Sequence, residues 1–226
     1  MKEIDALQTI FDRMTACFRC HHQSCEVVET AAGAQFRKLE IRSAGTDFHE
    51  IGNAFYKGIK NTTQDRSTHL KDLDCDGVSL FVDAEGRKHI VLVDLKSNFD
   101  IQKICGAYEQ DIHTFLKLHA LFSLCEGYSL HGMVIDLIVA CKTFKDTDQE
   151  TRVLDIISMK CMEEEDSFEK KFLNSLLHDG PVKACRMDDL NTIRSLPFHP
   201  SIKGVDVRLH LFTTIRYTDT EGIYNL

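Results

Sequence analysis

Three residues of this 226-residue chain have the types and spacing to do chemistry together: Asp76, Asp94 and Lys96. Asp94 and Lys96 end the apolar run HIVLVDLK (89–96), and Asp76 opens the run DGVSLFVD (76–83). Side chains alternate along a strand, so Ile90, Leu92, Asp94 and Lys96 share one face while Val91, Val93 and Leu95 share the other. A strand apolar on both faces is a covered, central one, where an ionised group is costly unless it is paired or binds a cation. AEGRK (84–88) reads as a turn between the two runs. With the turn centred at Glu85 or Gly86, Asp76 lies across from Asp94 or Lys96 and on the same face, within about 4.5–5.5 Å at Cβ. Asp74 has the same parity and is the alternative first acid; a register shifted by one would split the set between faces.

Two neighbouring carboxylates repel, and each holds its proton more tightly unless a cation intervenes. Carboxylate, carbonyl and water are the ligands Mg²⁺ prefers, and a bound Mg²⁺ polarises a phosphoryl oxygen and acidifies a water. Lys96 supplies a compact positive charge to orient that water or offset developing negative charge. The set therefore suits phosphodiester hydrolysis. The simpler alternative is a strand-end salt bridge between Asp94 and Lys96, with Asp76 capping a turn.

The elements that must position this set follow in order. Ile101, Ile104, Tyr108, Ile112, Phe115, His119 and Phe122 recur at helical spacing, which predicts a long amphipathic helix over 101–125 that stops near Gly127. MVIDLIVACKTF (133–144) reads as a buried strand. Upstream, residues 3–20 place Ile4, Leu7, Phe11, Met14 and Phe18 on one helical face, FRKLEIRS (36–43) reads as a strand, and 47–60 as a helix weakened by two glycines. Downstream, the acid run Met162–Asp166 suits a helix start, and DVRLHLFTTIRY (206–217) reads as a strand. Three prolines, no Ser/Gly linker and no repeat predict one α/β domain over 1–226.

An acid, seventeen residues, then Asp94-Leu95-Lys96 at the end of a hairpin, followed by a helix and a strand, resembles the PD-(D/E)xK, or restriction-endonuclease-like, nucleases. The likeness covers about residues 45–145, leaving an N-terminal helix and a C-terminal α/β extension. It implies a central mixed β-sheet flanked by helices, with Mg²⁺ (or Mn²⁺) held by Asp76, Asp94 and the Leu95 carbonyl, and a water-directing Lys96. It also implies a contribution from an acid on the preceding helix, for which Glu50 is the candidate, and from a glutamine on the following helix, Gln110 or else Gln102. Cys75 stands where the family often has proline. The implied activity is nucleic-acid cleavage, DNA ahead of RNA, of the kind found in bacterial defence. The alternative is a catalytically inactive module of the same fold that binds protein or nucleic acid.

Nucleic-acid contacts would come from the segment 55–71, which carries Lys57, Lys60, Arg66, His69 and Lys71 against the single acid Asp65. A solvated loop is the plain alternative. Lys103, Gln110 and Lys117 recur every seven residues along one polar stripe, which adds Lys103 to the candidate nucleic-acid contacts; a water-facing side is the plain alternative. A net charge of −8 weighs against tight binding of free nucleic acid, so capture would draw on a homo-oligomer or a partner subunit. CFRCHHQSC (17–25) offers Cys17, Cys20, His21, His22 and Cys25 as zinc ligands, but no second pair answers them, and structural cysteines on the first helix are the better reading. Nine scattered cysteines and the absence of a long apolar run or an apolar leader lead to the expectation of a cytoplasmic protein without membrane contact.

Overall fold

The computed structural model describes residues 3, 5, 6, 18–59, 73–162 and 168–226. It is an α/β structure built on one open, mixed, eight-stranded sheet. The strands are β1 (Phe18–Val28), β2 (Lys38–Ile51), β3 (Gly77–Val82), β4 (Lys88–Lys96), β5 (Met133–Cys141), β6 (Val182–Arg186), β7 (Asp206–Thr213) and β8 (Glu221–Asn225). Their spatial order is β1-β2-β3-β4-β5-β7-β6, with β8 added beside β2. The helices are α1 (Asn53–Lys57), α2 (Ile101–Phe122), α3 (Thr147–Met162), α4 (Phe168–Asp179), α5 (Asn191–Arg194) and α6 (Pro200–Lys203).

The hairpin β3–β4 forms as its sequence predicts. Asp83 Oδ1 accepts from the N–H groups of Glu85 and Arg87, and Gly86 takes φ 82°, a left-handed turn conformation that costs glycine nothing. The register pairs Gly77 with Val93, Val78 with Leu92 and Leu80 with Ile90. β4 then pairs in parallel with β5, from Lys88–Met133 to Lys96–Cys141. Parallel strands need a crossover, and α2 supplies it. Asp100 caps that helix by accepting from the Lys103 N–H.

Alternation sorts the two faces of the central strands into two cores. Val78, Leu80, Ile90 and Leu92 pack under Ile104, Tyr108, Ile112 and Phe115 of α2 and under Phe172 and Leu173 of α4. Phe81, Val91, Val93 and Leu95 face the other way, against Leu39, Ile41 and Phe48 of β2. The helical layer therefore lies on one face, and the bent outer strands cover the other. β2 pairs with β8 through residues 38–42 and with β3 through 49–51, and Gly45 at φ 69° lies between those two stretches.

Three sequence expectations are corrected. The N-terminal helix over 3–20 does not extend to residue 20, because Phe18–Cys20 begin β1; Glu3, Asp5 and Ala6 are helical, and 7–17 lie outside the described residues. Phe18 does enter the core, through strand pairing with Ile51 rather than along a helical stripe. The helix over 47–60 shrinks to the five residues of α1 between Gly52 and Gly58, since residues 47–51 continue β2. Phe48 and Ile51 are buried there and His49–Ile51 are laddered to β3, so tertiary pairing overrides a weak local helical preference. The strand over 206–217 ends at Thr213. Of the acid run Met162–Asp166, Met162 closes α3 and the remainder lies outside the described residues. β1, α3, β6 and β8 were not anticipated at all. β6 and β7 extend the same sheet as β3–β5, and β8 joins it beside β2, so the C-terminal part is not a separate layer.

Candidate cation site at the end of β4

The site forms where β3 has ended and β4 runs on. Asp76 N donates to Val93 O at 2.9 Å as the last rung of the ladder. Its side chain then reaches across, and Leu95 N donates to Asp76 Oδ2 at 2.7 Å. The N–H and C=O of one strand residue point to the same neighbour, so the Leu95 carbonyl also faces the Asp76 side. Asp94 is 1% exposed, beside Asp76, with Lys96 Nζ in ion contact with its Oδ1. That contact lacks hydrogen-bond geometry, and neither Asp94 oxygen accepts a hydrogen bond from the described residues. The Asp94 carboxyl is pushed up to about 7, chiefly by burial and next by the negative charge of Asp76, while Lys96 pulls it down. Burial also raises Asp76, against the Leu95 N–H and the charges of Lys96 and Lys57, which lower it.

α2 locks this arrangement from above. Gln110, Thr114 and Lys117 follow one another at i, i+4 and i+7, on one face of the helix. Lys96 Nζ donates to Gln110 Oε1 at 2.9 Å, and Gln110 Nε2 makes a long contact of 3.4 Å to Asp74 O. Thr114 Oγ1 accepts from Cys75 N at 2.9 Å and donates to Gln110 O. Lys117 Nζ donates to Asp74 Oδ1 at 2.7 Å. The segment 74–76 is thus pinned to the helix residue by residue. The same contacts decide between the two first acids: the Asp74 carboxylate is taken by Lys117, and Asp76 is the one beside Asp94. They also correct the reading of Lys103, Gln110 and Lys117 as a water-facing stripe. Lys117 is buried, because Asp74 offers it a charge partner under the helix, whereas Lys103 is exposed in the first turn.

The remaining candidates are placed less centrally. Glu50 lies on β2, not on a helix, and its Oε2 is 2.8 Å from His21 Nε2. It pairs with Ser79, and alternation sets that position on the opposite face of β3 from Val78 and Leu80. The structure therefore does not bring Glu50 to Asp94. Glu50 and Asp76 do border one open cleft of about 640 Å³, together with Arg19, His21 and Asn53. That cleft gives solvent access to the Asp76 end of the site. Lys57, at the end of α1, is exposed, and its charge reaches Asp76. Gln102 is exposed at the start of α2, eight residues before Gln110. Lys60, Arg66, His69 and Lys71 lie outside the described residues, as does Cys17. Of the rest of the cysteine cluster, Cys20 is exposed, His22 Nδ1 pairs with Asp47 at 2.6 Å, and Cys25 is buried and accepts from Ser79 Oγ. Burial pushes the Cys25 thiol up to about 11, which suits a structural cysteine rather than a thiolate ligand. These residues belong to a strand, so the expected helical face through Cys17 and His21 does not exist beyond residue 17.

One residue of the site escaped sequence reasoning. Asp111 follows Gln110 on α2, is 0% exposed, and has no hydrogen-bond partner for either oxygen. Among the described residues, no three of His, Cys, Asp and Glu form a group placed to hold a metal ion directly. Asp76 and Asp94 with the Leu95 carbonyl nevertheless have the hard-oxygen character that Mg²⁺ takes, and Mg²⁺ is usually bound through one or two carboxylates with water completing its shell. The orphaned oxygens of Asp94 are what such an ion would satisfy. Also among the described residues, no helix is long and apolar enough to cross a membrane. Comparison with protein-family models, with curated proteins and with solved structures gives no match for this chain.

Proposed function

We propose that the chain is a Mg²⁺-dependent nuclease of restriction-endonuclease-like fold that hydrolyses phosphodiester bonds, DNA ahead of RNA, with Mn²⁺ as a substitute ion. One observation carries this reading. A carboxylate with one oxygen paired only to the Lys96 ammonium and the other without a partner among the described residues is buried beside a second carboxylate at the end of a central strand, a placement that costs stability and calls for a cation. The topology supports it in part: the hairpin β3–β4, then helix α2 and strand β5 within a mixed sheet, is the order that the resemblance implies, although a strand, β2, stands where it implies a helix bearing Glu50.

Asp76 and Asp94 would hold the ion with the Leu95 carbonyl. The ion would supply Lewis-acid polarisation of a phosphoryl oxygen and a more acidic water. Lys96, steadied between Asp94 and Gln110, holds its ammonium where negative charge grows on the phosphate during attack. Lys57 sits close enough to Asp76 to draw a phosphate to the cleft. The net charge of −8 makes a second copy or a partner subunit the expected means of holding a long substrate.

The test is cleavage of plasmid DNA and of a structured RNA with Mg²⁺ or Mn²⁺, for wild type, Lys96→Ala and Asp94→Asn. Each variant should lose about 10²–10³-fold in rate, the usual cost of removing a transition-state charge partner. A wild-type protein that cuts neither substrate and binds no divalent ion by calorimetry ends the nuclease reading. The inactive binding module would instead retain nucleic acid or a protein partner without any response to the ion.

A further inference from the structure

Among the described residues, two acids are 0% exposed and take no part in the proposed chemistry: Asp136, which is bonded to His89, His210 and Arg208, and Asp111, which has no hydrogen-bond partner. Asp111 occupies the apolar stripe of α2, three residues after Tyr108 and four before Phe115, where a hydrophobic side chain would cost nothing. Both of its oxygens are enclosed, and neither meets a donor among the described residues. Its neighbour Gln110 holds Lys96, which contacts Asp94, and the charges of Asp94, Lys96 and Asp76 act on Asp111, so it lies on the helix that covers the candidate cation ligands and within electrostatic reach of them. Burial, more than any of these charges, drives its proton affinity up. Among the described residues, Asp94 Oδ2 and both oxygens of Asp111 thus lie buried without a partner, while Asp94 Oδ1 meets only the Lys96 ammonium.

Such a set needs something positive or protic between its members. Lys96 is committed to Asp94 Oδ1 and Gln110, and Lys117 to Asp74. Asp111 does not join Asp76 and Asp94 in a group that could grip one ion directly. A hydrated ion removes the difficulty, because Mg²⁺ and Mn²⁺ keep water when bound by few carboxylates, and each such water is a strongly polarised donor.

We propose that Asp111 is the third carboxylate of the cation site and reaches the ion through a water that the ion carries. This rests on the reading of Asp76 and Asp94 as cation ligands, and adds a residue outside the motif that suggested them. Asp111 is then a positioning residue. It would accept a hydrogen bond from water carried by the ion, and so would orient the hydrated ion relative to Lys96. Its burial has a purpose under this view, since a low-dielectric surrounding strengthens the hydrogen bond once the ion is in place.

The experiment is Mn²⁺ titration of the full chain by calorimetry and by the loss of the free-ion electron paramagnetic resonance signal, with no nucleic acid present. Wild type, Asp111→Asn and Asp94→Asn are compared at pH 8. Asp111→Asn keeps the shape but loses the charge, and its Mn²⁺ dissociation constant should rise about 10–100-fold, the range for a lost second partner of a metal site. Circular dichroism establishes that the variant is folded; if it is not, Asp111→Ser, which is smaller and cannot overpack, takes its place. A dissociation constant within about twofold of wild type in a folded variant overturns the proposal while leaving Asp76 and Asp94 as ligands. Weakened Mn²⁺ binding in a folded variant supports Asp111 whether or not the wild-type protein cuts nucleic acid, so the proposal stands apart from the outcome of the cleavage test. Absence of Mn²⁺ binding by wild type refutes both.

Discussion

Replacing Asp94 with asparagine should make the metal-free protein more stable, and increasingly so as pH rises. Asp94 is 1% exposed with no hydrogen bond to either oxygen, and its carboxyl is raised from an ordinary value of 3.8 to about 7, first by burial and then by Asp76. An acid whose proton is held more tightly in the folded state than in the unfolded state contributes no penalty while both states are protonated. The penalty grows as pH rises through the unfolded value near 4 and levels off above the folded value near 7. At about 1.4 kcal/mol per tenfold difference in proton affinity, full ionisation costs the fold about 4 kcal/mol. Asparagine has nearly the shape of the neutral acid and avoids this cost. In EDTA, urea unfolding of Asp94→Asn and wild type should coincide near pH 4, diverge by about 1–2 kcal/mol at pH 5, and differ by about 4 kcal/mol at pH 8. Saturating Mn²⁺ should reverse the order at pH 8, because the ion stabilises only the protein that binds it. A difference that stays flat with pH, or a variant less stable than wild type at pH 8 in EDTA, would refute the assignment of Asp94 as a buried, unsatisfied carboxylate.

Two further outcomes test the frame that holds the site. A Cβ at Gly77 would sit 2.5 Å from Val27 Cγ2 and 2.8 Å from Cγ1, so Gly77→Ala should cost about 1–3 kcal/mol by overpacking and should also slow cleavage by displacing the adjacent Asp76. Thermal denaturation of the double variant Gly77→Ala/Val27→Ala checks the cause, since the two changes should be markedly non-additive. On the sheet face away from α2, Asp136 accepts from His89 Nδ1 at 2.6 Å, His210 Nε2 at 2.9 Å and Arg208 Nε at 2.7 Å. Burial alone would raise its carboxyl, yet the bonds from His210 and His89 and the charge of Arg208 hold it well below the usual carboxylate range. A depressed acid contributes stability that is present above its unfolded value near 4 and lost as pH falls below it. Asp136→Asn should therefore cost about 3–5 kcal/mol at pH 7 in urea unfolding, with a deficit that narrows on acidification below pH 4.

The parts of the fold that sequence reasoning anticipated are those whose apolar period survives into burial. β3, β4 and β5 are buried along almost their whole lengths, and α2 carries a stripe from Ile104 to Phe122. β1, β6 and β8 escaped because they are edge or outlying strands with largely exposed side chains, and β6 has no fully buried residue. Nothing in such a segment distinguishes a ladder from a loop until its partner is known. Residues 47–51 failed for a related reason: strand β2 is laddered on both sides, to β1 and β3, by residues distant in sequence.

The site was partly visible for a physical reason, and its missing member for the same one. Asp94 and Lys96 stand out because charge ends an otherwise apolar strand, and Asp76 stands out because the hairpin turn fixes which residue must come near. Asp111 breaks the apolar stripe of α2 just as Asp94 breaks the apolar face of β4, yet the polar residues Glu109, Gln110 and His113 around it make one more acid on a helix inconspicuous. Burial is what separates them: Lys103 and Gln102 remain in water, while Asp111 and Lys117 turn under the helix. Lys117 is answered by Asp74, a charge partner for its buried ammonium. Asp111 is answered by no hydrogen-bond partner among the described residues, and a buried acid in that position is a sign that its partner comes from outside them.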